Sequence, residues 1–218
     1  QGLDLRGPLV RFYDQALAGI PAGLLYVKHD ERCSPLYGGN KPRKLEWILG
    51  AALARGSRRL VTTGGLGTHH GLATTILARE AGLATTLVLV AQPVTRAVQH
   101  SLLLDAAWGA ELRFGGGVAG AAAQVLLTLA HSTLRGERPL LVPTGGSSTR
   151  GQLGIVSAAL EIAQQVRAGE LPEPAEIWVA VGTGGTLAGL VAGLALAGLR
   201  SRVVGVLVTD ILPPSPHR

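Results

Sequence analysis

The chain has 218 residues, 47 % of them hydrophobic and only 16 % charged, which supplies a buried core and excludes a charge-solvated disordered chain. The 20 Lys and Arg against 14 Asp and Glu leave a net charge of +6. Those bases are scattered, aromatics are 4 % of the chain, and no nucleic-acid recognition signature is present, so a solvated basic surface is the reading and nucleic acid is not an expected partner. Glycine at 31 and proline at 12 follow no triplet period, which excludes collagen, and a single Cys33 excludes an internal disulfide and points to a reducing compartment.

Taken in chain order, apolar runs rich in β-branched residues alternate with helical spacing. Strands are predicted at Leu24–Lys28, Arg59–Thr63, Ala84–Val90, Ala110–Phe114, Leu140–Pro143, Ile177–Val181 and Arg202–Val208. Helices are predicted at Pro42–Arg55, Gly71–Ala81, Arg96–Trp108, Val118–Leu134, Gly151–Arg167 and Leu187–Leu196. In the first helix, Leu45, Ile48, Leu49, Ala52 and Leu53 share a face, and Pro42 suits a first turn. Strands apolar on both faces, such as Thr86–Val90, predict an α/β fold with parallel sheets covered by helices.

Ile177–Leu199 runs 23 residues without a charge, long enough to cross a bilayer. The glycines in Gly182-Thr183-Gly184-Gly185-Thr186 break it into a buried strand, a turn and a buried helix, and Gly189 and Gly193 are read as close packing on a sheet. With no signal-peptide pattern at the start, a soluble cytoplasmic protein without membrane contact is expected. A chain that starts at Gln1 and contains no Met is expected to lack an N-terminal piece of its translated product. The three tryptophans, Trp47, Trp108 and Trp178, are read as core, and Cys33 as a small structural residue.

Three glycine- and hydroxyl-rich loops follow strands: Gly64–Gly71, Thr144–Arg150 and Gly182–Thr186. In a parallel sheet such loops gather at the carboxyl edge, where ligands bind. Gly182–Thr186 suits a phosphate, since its amides converge, its threonines donate, and a helix opens behind it. It has neither the spacing nor the lysine of a P-loop. Gly115, Gly117 and Gly120 match a dinucleotide fingerprint, but the next strand ends in Pro143-Thr144-Gly145-Gly146 with no acid for a ribose, which sets that site aside. Lys41 sits at a glycine turn and helix start beside Arg43 and Lys44. Those charges and the helix end depress its pKa and favour the neutral amine that Schiff-base chemistry requires, with a solvated basic turn as the alternative.

Gly38-Gly39-Asn40-Lys41-x-Arg43-Lys44-Leu45-Glu46 resembles the cofactor-lysine motif of the 1-aminocyclopropane-1-carboxylate deaminase/D-cysteine desulfhydrase family of pyridoxal-phosphate enzymes, with collinear elements from about Leu24 to Asp210. The resemblance implies a tryptophan synthase β-like fold (fold type II). Residues 1–43 and 144–218 would form part of the large domain, and residues 44–143 an inserted small α/β domain. It implies that Lys41 bonds the pyridoxal 5'-phosphate aldehyde, that Asn40 and Lys44 serve the cofactor, and that Gly182, Thr183, Gly184, Gly185 and Thr186 cradle its phosphate. Gly145, Gly146 and Ser147 would line the substrate side.

Where the family carries Ser-Asn-Gln/His, this chain has Thr68, His69 and His70. Thr68 keeps a hydroxyl for a catalytic role. His69 takes the place at the pyridoxal hydroxyl, and His70 is expected at the substrate as a proton shuttle. Adjacent histidines lack metal-ligand spacing, so no metal is expected. Family members continue for roughly another hundred residues, whereas this chain ends in the proline-rich Thr209–Arg218, so an incomplete large domain is expected. The implied activity is β-elimination from D-cysteine or a similar small amino acid, by a homodimer. The alternatives are a dehydratase or racemase on the same cofactor, or a degenerate non-catalytic chain.

Overall fold

A computed structural model describes the backbone of residues 9–12 and residues 24–209 in full; the proline-rich end from residue 210 lies outside the described residues. Two compact units form, one from residues 1–43 and 152–218, the other from residues 44–151.

In the first unit, β1 (Leu9–Phe12) pairs antiparallel with β2 (Leu25–Lys28), with Leu9 opposite Lys28. Neither the strand β1 nor an antiparallel pair is predicted from the sequence, because four residues are too few to show a period. Helix α1 (Asn40–Ala54), which belongs to the second unit from Lys44 on, starts two residues earlier than predicted. Pro42 falls in its first turn, where a missing N–H costs no intrahelical bond. Helix α5 (Thr149–Arg167) supplies Ile155, Ala159 and Ile162 to a core shared with Leu190 and Leu194 of α6 (Gly185–Ala197). Ile177 and Val179 from β7 (Glu176–Val181), and Val203 from β8 (Arg202–Leu207), pack against that core. The two strands are parallel, Ile177 opposite Val203, and α6 connects them. Gly189 and Gly193 pack on helix α5 rather than on a sheet: a Cβ on either would lie 2.6 Å from the Cβ of Ile155 or Ala159 respectively.

The second unit alternates β3 (Arg59–Gly65), α2 (His69–Glu80), β4 (Ala84–Val90), α3 (Arg96–Ala107), β5 (Glu111–Gly116), α4 (Val118–Leu134) and β6 (Leu140–Val142). Its sheet is wholly parallel in the order β5-β4-β3-β6. Val61, Val88, Ala121 and Val125 form the core on the α4 side, and Leu87 faces Gly71 of α2 on the other. The fingerprint-like glycines close the β5–α4 turn: a Cβ on Gly120 would meet the Gly115 carbonyl oxygen at 2.1 Å.

Three apolar side chains depart from the sequence reading. Leu53, Trp47 and Trp178 are exposed rather than core, at 51 %, 44 % and 65 %. Trp108 is half-buried beneath the Arg79 guanidinium, 5.4 Å from the ring centroid. No helix among the described residues is long and apolar enough to cross a membrane.

Asp105 of α3 is fully buried, and neither carboxylate oxygen has a hydrogen-bond partner among the described residues. Burial alone pushes its pKa from 3.8 up to about 7. Because the folded value lies above the unfolded one, the folded state binds this proton more tightly. The stability so gained is complete below pH 4 and lost as pH rises through 7, a change on the order of 4 kcal/mol. Asp105→Asn is expected to flatten that loss and to raise the melting temperature at pH 8 above that of the native chain, as read from thermal melts between pH 5 and 8.

Candidate functional site

In the first unit, the chain enters α1 through a tight turn at Gly38 and Gly39. Gly39 has φ +86, and a Cβ on Gly38 would strike the Glu31 carbonyl oxygen at 2.1 Å. Cys33 is buried beside the turn with its thiol on the Gly39 carbonyl at 3.5 Å; burial raises the thiol pKa, as suits a structural residue. Lys41 follows, half-buried, its Nζ donating to Asn40 Oδ1 at 2.9 Å. Its pKa is lowered, and the cause is desolvation rather than the cationic neighbours expected from the sequence. Arg43 is neutralised by carboxylates, and Lys44 Nζ donates to the Gly145 carbonyl at 3.3 Å.

Asn40 has a second bond. Its Nδ2 donates to Thr186 Oγ1 at 2.8 Å. A lysine amine bearing its full complement of protons can only donate, so the amide oxygen must face Lys41 and the amide nitrogen must face Thr186. This chain of two hydrogen bonds joins the lysine to the glycine loop. There Gly184 adopts φ +80 as the N-cap of α6, and Gly185 and Thr186 open the helix. A Cβ on Gly182 or Gly184 would meet nothing within 4 Å, and Thr183 is exposed. Backbone N–H groups of the first helical turn, the positive end of α6 and two hydroxyls therefore gather around open space.

In the second unit, the strand order reverses at β3, with β4 on one side and β6 on the other. That makes the β3–β6 carboxyl edge the topological switch point of the sheet. Thr63 and Thr144, at the two strand ends, share a hydroxyl hydrogen bond of 2.8 Å. Strand β3 runs two residues past its predicted end, so Gly64 and Gly65 belong to the ladder and pair with Leu89 and Val90. Thr68 is the N-cap of α2, its Oγ1 accepting from Gly71 N at 3.1 Å. As an acceptor there, the hydroxyl still has its own proton to donate. His69 is exposed in the first turn of the helix.

His70, expected at the substrate, is instead buried in this unit at 5 % exposure. Thr62 Oγ1 donates to the Val142 carbonyl at 2.8 Å, so it accepts from His70 Nε2–H at 3.0 Å. The ring is thereby an interior tether joining α2, β3 and β6. Gly145 and Gly146 follow β6 with φ +70 and +64, and Gly146 lies against the Lys44 side chain. Ser148 Oγ accepts from Gly151 N at 3.2 Å at the start of α5. Ser147 stands between them, half-buried.

Sequence reasoning misses the groups that hold the lysine turn. Arg43, 3 % exposed, donates through Nε and Nη2 to both oxygens of Asp30 at 3.1 and 2.8 Å, and through Nη1 to Glu161 Oε2 at 2.9 Å. Lys28 pairs with the other oxygen of Glu161. Burial pulls the Glu161 carboxyl up, but Lys28 and Arg43 outweigh it and hold the pKa below its usual value. The available signal was Glu161 itself, an acid set between Leu160 and Ile162 on a helix that buries Ile155, Ala159 and Ile162.

The sequence profile of the pyridoxal-phosphate-dependent enzyme family matches residues 6–214. Over 191 residues the chain is 35 % identical to nocardicin C-9' epimerase of Nocardia uniformis subsp. tsuyamanensis, covering 86 % of this chain and 58 % of that protein. Over 214 residues it is 32 % identical to a D-cysteine desulfhydrase of Salmonella paratyphi A, covering 95 % of this chain and 64 % of the other. The crystal structure of an ACC deaminase homologue superposes with a TM-score of 0.74 at 35 % identity, covering 86 % of this chain and 56 % of that one. The chain thus spans about three fifths of the length of these relatives. Together with the parallel α/β architecture, these matches show that the chain belongs to the pyridoxal-phosphate-dependent enzymes of fold type II.

Proposed function

We propose that the chain carries the cofactor half-reaction of a lyase acting on a small amino acid, with β-elimination from D-cysteine or a close analogue as the reaction. The observation that carries this reading is the hydrogen-bonded line Lys41–Asn40–Thr186, which joins a desolvated amine to an open glycine nest at a helix N-terminus within one unit. These residues fit pyridoxal phosphate: the nest suits a phosphate dianion, and an amine whose pKa burial depresses suits attack on an aldehyde. When bound, the cofactor supplies an aldehyde for covalent attachment and a conjugated ring that stores the electron pair left at the substrate α-carbon.

The chain's own residues then have distinct tasks. Gly182, Gly184 and Gly185 offer backbone N–H groups to the phosphate, and Thr183 and Thr186 offer hydroxyls. Asn40 holds Lys41 Nζ in one orientation. Lys41, neutral more readily than an ordinary lysine, would serve as the base that holds the α-proton at Nζ. Lys44, together with Thr68, His69, Gly145, Gly146 and Ser147, keeps the role that the family motif gives it, on the strength of the resemblance alone. His70 is assigned to fixing α2 on the sheet. Epimerisation is the second reading, favoured by the name of the Nocardia relative. In that case Lys41 would return the proton and the β-substituent would stay.

We further propose that the protein is a homodimer. Support comes from α4, whose outward residues Val118, Leu126, Leu127 and Leu134 are all exposed and whose 17 residues include no Asp, Glu, Lys or Arg. Two copies could meet there without like-charge repulsion. Leu126→Glu with Leu127→Glu is expected to convert a dimer to a monomer in sedimentation velocity, and an unchanged sedimentation coefficient would count against this face.

The functional reading is tested by incubation with pyridoxal phosphate, borohydride reduction and peptide mapping. A pyridoxyl group is expected on Lys41 and absent from Lys41→Ala, with half-maximal attachment at a pH below the ordinary lysine value of 10.5. Sulfide release from D-cysteine identifies the elimination. Exchange of the α-hydrogen for deuterium with no sulfide identifies the epimerase alternative. Label on Lys28 or Lys44 with Lys41 unmodified would sink both.

A further inference from the structure

Lys41 sits in a segment that is gripped on both sides by one residue. The Asp30 backbone carbonyl accepts from Gly39 N at 2.7 Å, two residues before the lysine. The Asp30 carboxylate holds both Nε and Nη2 of Arg43, two residues after it. The third guanidinium arm is taken by Glu161 of α5, and Glu161 is held in turn by Lys28 of β2. Every group belongs to the first unit, and Arg43 is nearly sealed from water. A planar guanidinium with three occupied directions fixes orientation as well as charge, which a lysine in its place would not do.

We propose that Asp30, Arg43 and Glu161 are positioning residues for Lys41: they clamp residues 39–43 against β2 and α5, so that the only freedom left to the amine is its own side chain. The proposal rests on the reading of Lys41 as the aldehyde-capturing amine. The clamp acts before any cofactor arrives. It keeps the Lys41 stem in its desolvated place and sets the angle at which Nζ meets Asn40 Oδ1. Loosening it lets the turn swing outward, and the amine then regains water and the behaviour of a surface lysine.

The test compares Arg43→Met, Arg43→Lys and Asp30→Asn with the native chain and with Arg59→Met. Arg59 heads a separate ionic cluster with Glu111 and Glu137 in the second unit, so its loss controls for general destabilisation. Acetic anhydride labelling of Lys41, quantified by peptide mass against pH, reports the amine without any cofactor. Pyridoxal phosphate capture at Lys41 reports its function.

In Arg43→Met and Asp30→Asn, at a temperature where circular dichroism shows the native spectrum, the labelling midpoint should move up toward that of an ordinary lysine. Capture should slow at least tenfold. Arg43→Lys should fall between these and the native chain, and Arg59→Met should match the native chain in both readouts. Native labelling and capture in folded Arg43→Met and Asp30→Asn would overturn the proposal, as would an equal effect in Arg59→Met. Should Arg43→Met fail to fold, Asp30→Asn and Arg43→Lys decide by the same criteria. Should the native chain capture no cofactor at Lys41, the functional reading falls while the labelling midpoints still decide the clamp.

Discussion

A guanidinium removed from water is tolerated only when its charge and its donors are matched, and Arg43 meets that condition with two carboxylates from distant parts of the chain. The constraint runs in both directions. Without Asp30 and Glu161 the arginine would lose both of its described carboxylate partners, and without Arg43 the two acids would lose the cation they share, with Lys28 still bonded to Glu161. Breaking one side of such a pairing costs about 3–5 kcal/mol, a large share of a domain's net stability. The first unit therefore has strong reason to keep β2, the turn after it, the start of α1 and the middle of α5 in one arrangement.

That arrangement explains how a lysine can be desolvated with no carboxylate paired to it among the described residues. A salt bridge would hold Lys41 charged and spoil it as a nucleophile. Here the salt bridges sit on Arg43, while Lys41 has a neutral amide oxygen as its hydrogen-bond acceptor. Ion pairing secures the backbone, and a weaker neutral contact orients the amine. The separation of these two duties between residues 41 and 43 is the physical content of the spacing Lys-x-Arg.

The elements of both units were legible in the sequence because their apolar spacing is regular, as in Ala84–Val90 and Val118–Leu134, whose bounds agree residue for residue. The lysine turn and the phosphate-type loop were legible because glycine before a helix constrains the backbone so narrowly. What escaped was long-range. Nothing local tells that Arg43 will meet an acid 118 residues away, or that His70 turns inward to Thr62 while His69 stays outside. The β1 strand escaped for want of length, and Trp47 and Trp178 because hydrophobic identity does not fix burial for a single large side chain.

Glycine patterns show the same limit in sharper form. Gly115 to Gly120 and Gly182 to Gly185 read alike as letters, each a glycine cluster between a strand and a helix. At the first, an added Cβ would collide with backbone: Gly115 with Ala121, and Gly120 with the Gly115 carbonyl. Gly115 and Gly120 let strand and helix touch, while Gly116, in the left-handed region, and Gly117 border open space with no such partner described beside them. At the second, Gly182 and Gly184 border open space, Gly184 needs the left-handed region, and Thr186 is tied through Asn40 to Lys41. Spacing cannot separate the two cases, since both satisfy the same turn. What separates them is the link through Thr186 and Asn40 to an amine, which sets the open room at the second turn beside groups able to hold an anion.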